Sequence, residues 1–450
     1  MKIKIFFNLK KSLIINYSLL ILLGSCSVQK KIGKSAQVLL KDSSTTNAHI
    51  GISIYDPATG KYLYNYQGDK YFIPASNTKL FTCYAAMKYL GDSLTGILYD
   101  DTDPDFKLIG NADPTFLHPD FKNQPVFDFI KNLVTAKQIM LCQMKSRGSN
   151  KPLEPLGMGW SWDDYNSSDM AERSFFPIYG NVVRFTLKNK SIEVSPPRFA
   201  KKVFQYDKEL KSFDVERQRE SNFFFISEGR NTRLVEIPFK TGLQETIVSI
   251  EDSLLVDTVK REIGFCNTVY ASTRHLKRIH SQPTDSVLRP MMHLSDNFFA
   301  EQMLLMVSNE KLGYMNDAAI IDTLLKTNLA GVPQKPKWVD GCGLSRYNLF
   351  TPQDFVFIIN KMQSEFGLGR LKNILATGGE GTIRSYYQNL AGQLYAKTGT
   401  LSNNCALSGF LTTKSGKLLI FSILANNYQG AATPVRRAVE RFLNKVRDNY

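Results

Sequence analysis

The chain of 450 residues is poor in the side chains that usually hold metals, with six cysteines and five histidines. No Cys-x-x-Cys pair occurs, and His49, His118, His275, His280 and His293 form no His-Glu-x-x-His pattern. A zinc site and metal catalysis therefore lack support, and no metal or other cofactor is expected. Apart from Cys26, the cysteines (Cys83, Cys142, Cys266, Cys342 and Cys405) are odd in number and irregularly spaced, which gives no support to a disulfide framework. A single disulfide stays open, with buried free thiols the preferred reading. Internal repeats and low-complexity tracts are also missing. Acids are fewer than bases, 41 against 56, giving a formal charge of +15, but the excess is spread along the chain. Its densest patch, Arg274 to His280, reads as a solvated helix face. No reading module or basic-aromatic array accompanies it, so no nucleic-acid partner is expected. A basic surface still suits an anionic polymer or a membrane surface.

Hydrophobic content of 43% and charged content of 22% fit a soluble globular protein, and the length implies two or three domains. At the N-terminus Lys2, Lys4, Lys10 and Lys11 precede an apolar stretch, Leu13 to Leu23. That stretch is too short, and too interrupted by Asn16 and Tyr17, for a comfortable membrane span. It ends in Leu23-Gly24-Ser25-Cys26, which resembles a bacterial lipobox. Residues 1–25 are accordingly expected to be a lipoprotein signal peptide. Cys26 would be acylated with more than one chain, as stable anchoring requires. Residues 26–45, rich in Lys, Ser and Thr, would form a tether. The expected location is the cell envelope or periplasm, held at the membrane through the lipid on Cys26.

Ordered structure is expected from His49. His49 to Tyr55 and Lys61 to Tyr66 read as a hairpin around Asp56-Pro57-Ala58-Thr59-Gly60. Ser76 to Leu90 is helical in content, with Gly91 placed to stop it. Leu394 to Thr398, Ala406 to Thr412 and Lys417 to Leu424 read as strands, and Pro434 to Asp448 as an amphipathic helix with proline at its start. Strands at both ends of the chain, with helical segments such as Asn297 to Val307 between them, imply one antiparallel sheet packed with helices, an α+β fold. Between Gly91 and about residue 265, short β-like runs such as Phe223 to Ser227 and Arg233 to Ile237 alternate with polar turns. The expected domains are 46–94 with 266–450, interrupted by an insertion of one or two β-rich domains over 95–265.

Three short motifs stand in a fixed order: Ser76-Asn77-Thr78-Lys79, Ser295-Asp296-Asn297 and Lys397-Thr398-Gly399-Thr400. Alone, each has a plain structural explanation. S-x-x-K is frequent by chance, S-D-N is a good helix cap or turn, and K-T-G is a common loop. Together they supply a nucleophile, two lysines, a second serine and a donor-lined strand. Ser76 and Lys79, three apart at a helix start, share a face. A serine hydroxyl attacks only when a base takes its proton. Lysine serves only when neutral, which means lowering its pKa by about 3 from roughly 10.4, or about 4 kcal/mol. A second ammonium ~4 Å away, at an effective dielectric of ~20, supplies about that much. Lys397 is the candidate, with partial burial assisting. Ser295 can pass the proton to the leaving amine, and Asn297 can hold both Lys79 and a substrate amide. The Ser76 and Thr400 backbone N–H groups can stabilise an oxyanion. Gly399 lets a substrate strand approach closely, and Lys397 with Thr398 can bind a terminal carboxylate.

This trio is shared by penicillin-binding proteins and class A β-lactamases. The wider sequence resembles low-molecular-mass class C penicillin-binding proteins, which are D-alanyl-D-alanine carboxypeptidases/endopeptidases. The resemblance runs through Pro74 to Thr82, Gly110 to Pro114, Gly159 to Asp164 and Ser295 to Glu301. It continues in Asp340 to Arg346, Gly381 to Arg384 and Ala396 to Leu401, and so covers roughly residues 46–430. It implies a serine β-lactamase/penicillin-binding-protein-like domain carrying a large insertion. It also implies a serine peptidase that cuts peptidoglycan stem peptides through an acyl-enzyme on Ser76 and is inhibited by β-lactams. The separation of 219 positions from Ser76 to Ser295 requires that insertion. A class A β-lactamase places its second motif far sooner, and no convincing glutamate motif for rapid deacylation lies between Asn297 and Lys397. A β-lactamase-type hydrolase and a catalytically silent peptide-binding relative are the alternatives. The resemblance marks Asp164 and Arg346 as candidates for gripping the stem-peptide side chain. Without it, Asp163 or Asp164 reads as a cap and Arg346 as an ion-pair partner. Trp160 and Trp162 read as packing residues. Cys342 stands where the family usually has serine, and Asn111-Ala112 replaces a more glycine-rich run.

Overall fold

The computed structural model describes residues 30–142, 153–188, 191–205, 213–227, 234–257, 259–266 and 275–450. The expected signal peptide, Cys26, and the first part of the tether lie outside the described residues. No helix among the described residues is long and apolar enough to cross a membrane. The chain divides into two compact units, one of residues up to 77 with 333–336 and 349–450, the other of 78–332 with 337–348.

The first unit is built on a six-stranded sheet. Its order is Ala376–Thr377, Leu394–Leu401, Asn404–Thr412, Leu418–Asn426, His49–Asp56 and Lys61–Tyr66. All its pairs are antiparallel, and His49–Asp56 pairs with Leu418–Asn426, so both ends of the chain meet in one sheet as expected. The C-terminal helix Ala432–Asn449 buries Val435, Ala438, Val439, Phe442, Leu443 and Val446. Those positions recur at three- and four-residue spacing, one apolar stripe of a helix. They join Ile52, Ile54, Leu407, Phe421 and Ile423 in a single core.

That core also takes in Ile32, Ala36 and Leu39 from a helical stretch over 30–40. The expected tether is thus corrected over most of its length. Burying three apolar side chains at i, i+4 and i+7 outweighs the polar composition of the segment, at roughly 1.5–3 kcal/mol for a fully buried leucine or isoleucine.

The second unit holds a five-stranded mixed sheet of Ile263–Cys266, Ile139–Cys142, Phe106–Gly110, Ser93–Asp100 and Lys277–Pro283, in that order. Two three-stranded sheets accompany it. One contains Phe224–Ser227 and the other Val235–Pro238, both expected as strands. The helix Lys79–Tyr89 packs on Asn297–Leu312, whose residues from Asn297 to Asn309 are all buried.

The compact units do not follow the expected boundaries. Residue 95 falls inside Ser93–Asp100, which pairs with Lys277–Pro283 from beyond the expected insertion. Of the basic patch, Lys277 to His280 lie in this strand rather than in a helix, and Arg274 lies outside the described residues. Lys277 is matched by Asp101 at 2.6 Å and Arg278 by Glu310 at 2.7 Å. Cys142 and Cys266 lie opposite each other on neighbouring parallel strands and form a disulfide with Cα atoms 4.9 Å apart. Cys83, Cys342 and Cys405 are buried free thiols. This disulfide joins residues 124 apart in sequence, so only the strand order brings them together.

Candidate active site

In the first unit, Ser76 sits in a 3-10 turn, Ala75–Thr78, that runs directly into the helix beginning at Lys79. Asn426 clamps the approach to this turn, accepting from the Ile73 N–H at 2.7 Å and donating to the Ile73 carbonyl at 3.0 Å. The Asn77 side-chain amide donates to Ser408 Oγ at 2.7 Å, which ties the turn to the adjoining strand. Ala75, immediately before the serine, has φ of 48°, a conformation that costs a non-glycine residue energy and persists only where the surroundings enforce it.

The K-T-G-T residues lie on strand Leu394–Leu401, with Lys397 opposite Ser408 and Thr400 opposite Cys405. Gly399 is also required by the packing of the strand itself. A Cβ there would lie 2.4 Å from the Pro74 carbonyl oxygen and 3.1 Å from the Ser76 nitrogen. The strand is therefore pressed against the backbone of the serine turn itself, and the Ser76 and Thr400 N–H groups belong to adjoining stretches of backbone. Lys397 is completely buried and donates to the Thr398 carbonyl at 2.8 Å. The Thr398 hydroxyl is bonded to that of Thr382 at 2.7 Å, and Thr400 Oγ1 accepts from Arg436 at 2.6 Å. Neither Thr382 nor Arg436 was singled out as a site residue. Thr382 lay in a segment carrying the family resemblance, whereas Arg436 had no local signal within its amphipathic helix.

The second unit contains the other half of the sequence-predicted set. Lys79 is completely buried and donates to Asn297 Oδ1 at 2.6 Å and to the Cys342 carbonyl at 2.8 Å. Burial pushes its pKa below the ordinary lysine value, while Asp296, Asp340 and Glu301 pull the other way. Desolvation is the largest cause, where the sequence reading gave the larger share to a second ammonium. Ser295 has φ of 66°, Asp296 caps the following helix by accepting from the Phe299 N–H at 2.8 Å, and the Asn297 amide donates to the Asp169 carbonyl at 3.1 Å. Burial raises the Asp296 carboxyl to about 6, against the lowering effects of the Phe299 N–H and Lys79.

A polar hub supports Lys79 from behind. Asp340 accepts from Trp160 Nε1 at 2.9 Å, Gly343 N at 2.9 Å, Ser345 N at 2.6 Å and Asn348 Nδ2 at 2.6 Å. Glu301 accepts from the Cys342 N–H at 2.7 Å and lies 3.4 Å from the Arg173 guanidinium. The same peptide unit region that receives Lys79 on its carbonyl is thus anchored on its nitrogen. Burial, together with the nearby Asp340, raises the Glu301 carboxyl to about 7. Glu301, Asp340 and Cys342 bring donor atoms within 4.8 Å of one another, a spacing a metal would accept. Both carboxylates are already engaged with N–H donors and Arg173, which accounts for them without an ion. Sequence reasoning quoted these residues only as part of the resemblance.

Asp164 lies in the exposed 3-10 turn Trp162–Asn166, and Arg346 is exposed just after the Asp340 hub. Arg346 forms no ion pair among the described residues. A Cβ on Gly159 would lie 2.8 Å from Ser345 Oγ and 2.6 Å from the Tyr347 ring, so the segments carrying Asp164 and Arg346 touch. Trp160 packs against the hub as expected. Trp162 does not: it is 66% exposed, with Arg219 4.9 Å over its ring.

A serine on a strained turn, a buried lysine following it, and a K-T-G-T strand against the turn's backbone define a serine acyl-transfer enzyme of the penicillin-recognising class. The α+β fold with its antiparallel sheet is the one such enzymes use. The D-Ala-D-Ala carboxypeptidase 3 (S13) family model matches residues 33–446, and the chain belongs to that family. It is 24% identical to the D-alanyl-D-alanine carboxypeptidase of Actinomadura sp. (strain R39), over 89% of this chain and 82% of that one. It is 22% identical to the penicillin-sensitive carboxypeptidase A of Dictyostelium discoideum, over 95% and 98%. Among solved structures, penicillin binding protein 4 (dacB) from Haemophilus influenzae superposes with a TM-score of 0.70 at 19% identity. That match covers 93% of this chain and 99% of the other.

Proposed function

We propose that this serine-type D-Ala-D-Ala carboxypeptidase/endopeptidase acts on peptidoglycan stem peptides through an acyl-enzyme on Ser76 and is inhibited by β-lactams. Lys79 takes the Ser76 proton as Oγ attacks the carbonyl between two D-alanine-type residues. The Ser76 and Thr400 N–H groups receive the oxyanion. The tetrahedral adduct collapses, the C–N bond breaks, and Ser295 relays the proton to the leaving amine. Asn297 holds Lys79 and the substrate amide, while Lys397 and Thr398 bind the terminal carboxylate. Water then cleaves the ester and frees Ser76. Asp164 and Arg346 grip the stem-peptide side chain from their touching, exposed segments. The enzyme works outside the cytoplasm, in the periplasm, attached to the membrane by acyl chains on Cys26.

The observation that carries this reading is the state of Lys79. A completely buried amine held by Asn297 and the Cys342 carbonyl, with a depressed pKa and three residues after a serine in the chain, is suited to serve that serine as its base. The test is Ser76→Ala, which should abolish stoichiometric penicillin labelling and lower D-alanine release by roughly 10⁴-fold or more with the fold retained. A variant that still labels would show that the nucleophile lies elsewhere. Rapid turnover of penicillin by the unaltered protein would instead indicate a lactamase.

A further inference from the structure

The face of the first unit that displays Thr398 and Thr400 carries one more charged group. Arg436, on the C-terminal helix Ala432–Asn449, donates from Nη2 to Thr400 Oγ1 at 2.6 Å, and its guanidinium lies 5.7 Å from the centre of the Tyr386 ring. Arg436, Thr382, Thr398 and Cys405 line one small pit beside the strand. Arg436 is only partly buried, and among the described residues it forms no ion pair. Its neighbour Arg437 is paired with Glu440 at 2.5 Å. Cys405 is no counter-ion for Arg436, because burial raises its thiol and keeps it protonated near neutral pH. The guanidinium also bonds the Tyr386 and Cys405 side chains, which hold it in place, but its charge has no carboxylate partner among the described residues. Two hydroxyls beside a charge of that kind suit a carboxylate. The hydrogen bond to Thr400 also aligns the residue whose N–H serves the oxyanion.

We propose that Arg436 is a specificity-determining residue for the C-terminal carboxylate of the substrate. With Thr398 and Thr400 it forms an anion-binding rim on the K-T-G-T strand, and so sets the preference for a free D-amino-acid terminus over a blocked one. The inference rests on the reading of that strand given under the proposed function.

The experiment uses the purified full chain and two thioester substrates, an N-acyl-D-alanyl thioglycolate and its carboxamide. They share the bond cleaved and differ only in the terminal charge. Arg436→Met should lower kcat/KM about 10- to 100-fold on the free acid, mainly through KM, and less than about 3-fold on the carboxamide. Arg436→Lys should recover part of the loss on the acid alone. End-point labelling by penicillin, located by mass spectrometry, reports on folding and on the nucleophile together. Equal losses on both substrates, or none on either, with label on Ser76, would overturn the role of Arg436 and leave the nucleophile intact. Label on another residue would overturn the reading of the strand, and this inference with it.

Discussion

Lys397 and Lys79 are both completely buried, yet different kinds of structure hold their surroundings in place. Around Lys397 the work is done by backbone. An antiparallel ladder fixes the strand, Gly399 lets it touch the serine turn, and Asn426 and Asn77 tie that turn to neighbouring strands. Around Lys79 the work is done by side chains: Asn297 directly, and Glu301 and Asp340 through the segment that presents the Cys342 carbonyl. Backbone ladders tolerate changes of side-chain charge but not of volume at a point of closest approach. Buried polar hubs have the opposite sensitivity, because removing one partner leaves others unsatisfied at about 1–3 kcal/mol each.

Replacing each supporting element separately breaks or sharpens this contrast. Lys79→Met, which keeps the length and removes the amine, should cost most, with acylation of Ser76 by penicillin slowed roughly 10²–10⁴-fold in stopped-flow measurements. Gly399→Ala should come next. Its methyl group would meet the Pro74 carbonyl at 2.4 Å, displacing the strand from the serine turn, and kcat should fall by about 10²-fold with the pH profile unmoved. Asn297→Ala removes the Oδ1 acceptor from the Lys79 amine, and a loss of about 10-fold to 10²-fold in kcat/KM is expected.

Glu301→Gln should have the smallest effect at the pH optimum and the clearest signature. The Glu301 carboxylate holds the Lys79 pKa up, so removing its charge should move the acid limb of the kcat/KM profile to lower pH. Stability gives an independent check. The native Glu301 carboxyl, at about 7, lies above its ordinary value of 4.5, so the native state binds the proton more tightly than the unfolded chain does. Its contribution to stability is therefore present below about pH 4.5 and lost as pH rises through 7, and Glu301→Gln should flatten urea-measured stability over that window. If Gly399→Ala shifted the acid limb as far as Glu301→Gln does, the division between backbone support and side-chain support would fail.

Much of the sheet was legible because local pattern and final structure agree there. The hairpin His49 to Tyr66 and the strands after Leu394 form where short apolar runs bounded by turn residues mark them, the central strands being buried on both faces. The C-terminal helix buries the stripe its periodicity marks. The stretch over 30–40 was misread because its composition is polar and only three apolar positions speak for a helix. The patch Arg274 to His280 reads as a solvated helix face because its bases cluster, whereas from Lys277 on it is a strand in which Asp101 and Glu310 compensate Lys277 and Arg278.

The sequence by itself determined the chemical parts of this protein: a serine followed three residues later by a lysine, two further motifs in order, and apolar periodicities that select one antiparallel sheet. Those features are local, so a short window of residues is enough to express them. Tertiary structure alone decided what depresses the Lys79 pKa, why residue 399 has no side chain, which cysteines are joined, and that Arg436 lies beside Thr400. Each of these depends on desolvation or on contact between residues far apart in the chain. Such properties belong to the packed arrangement and have no expression in any single segment.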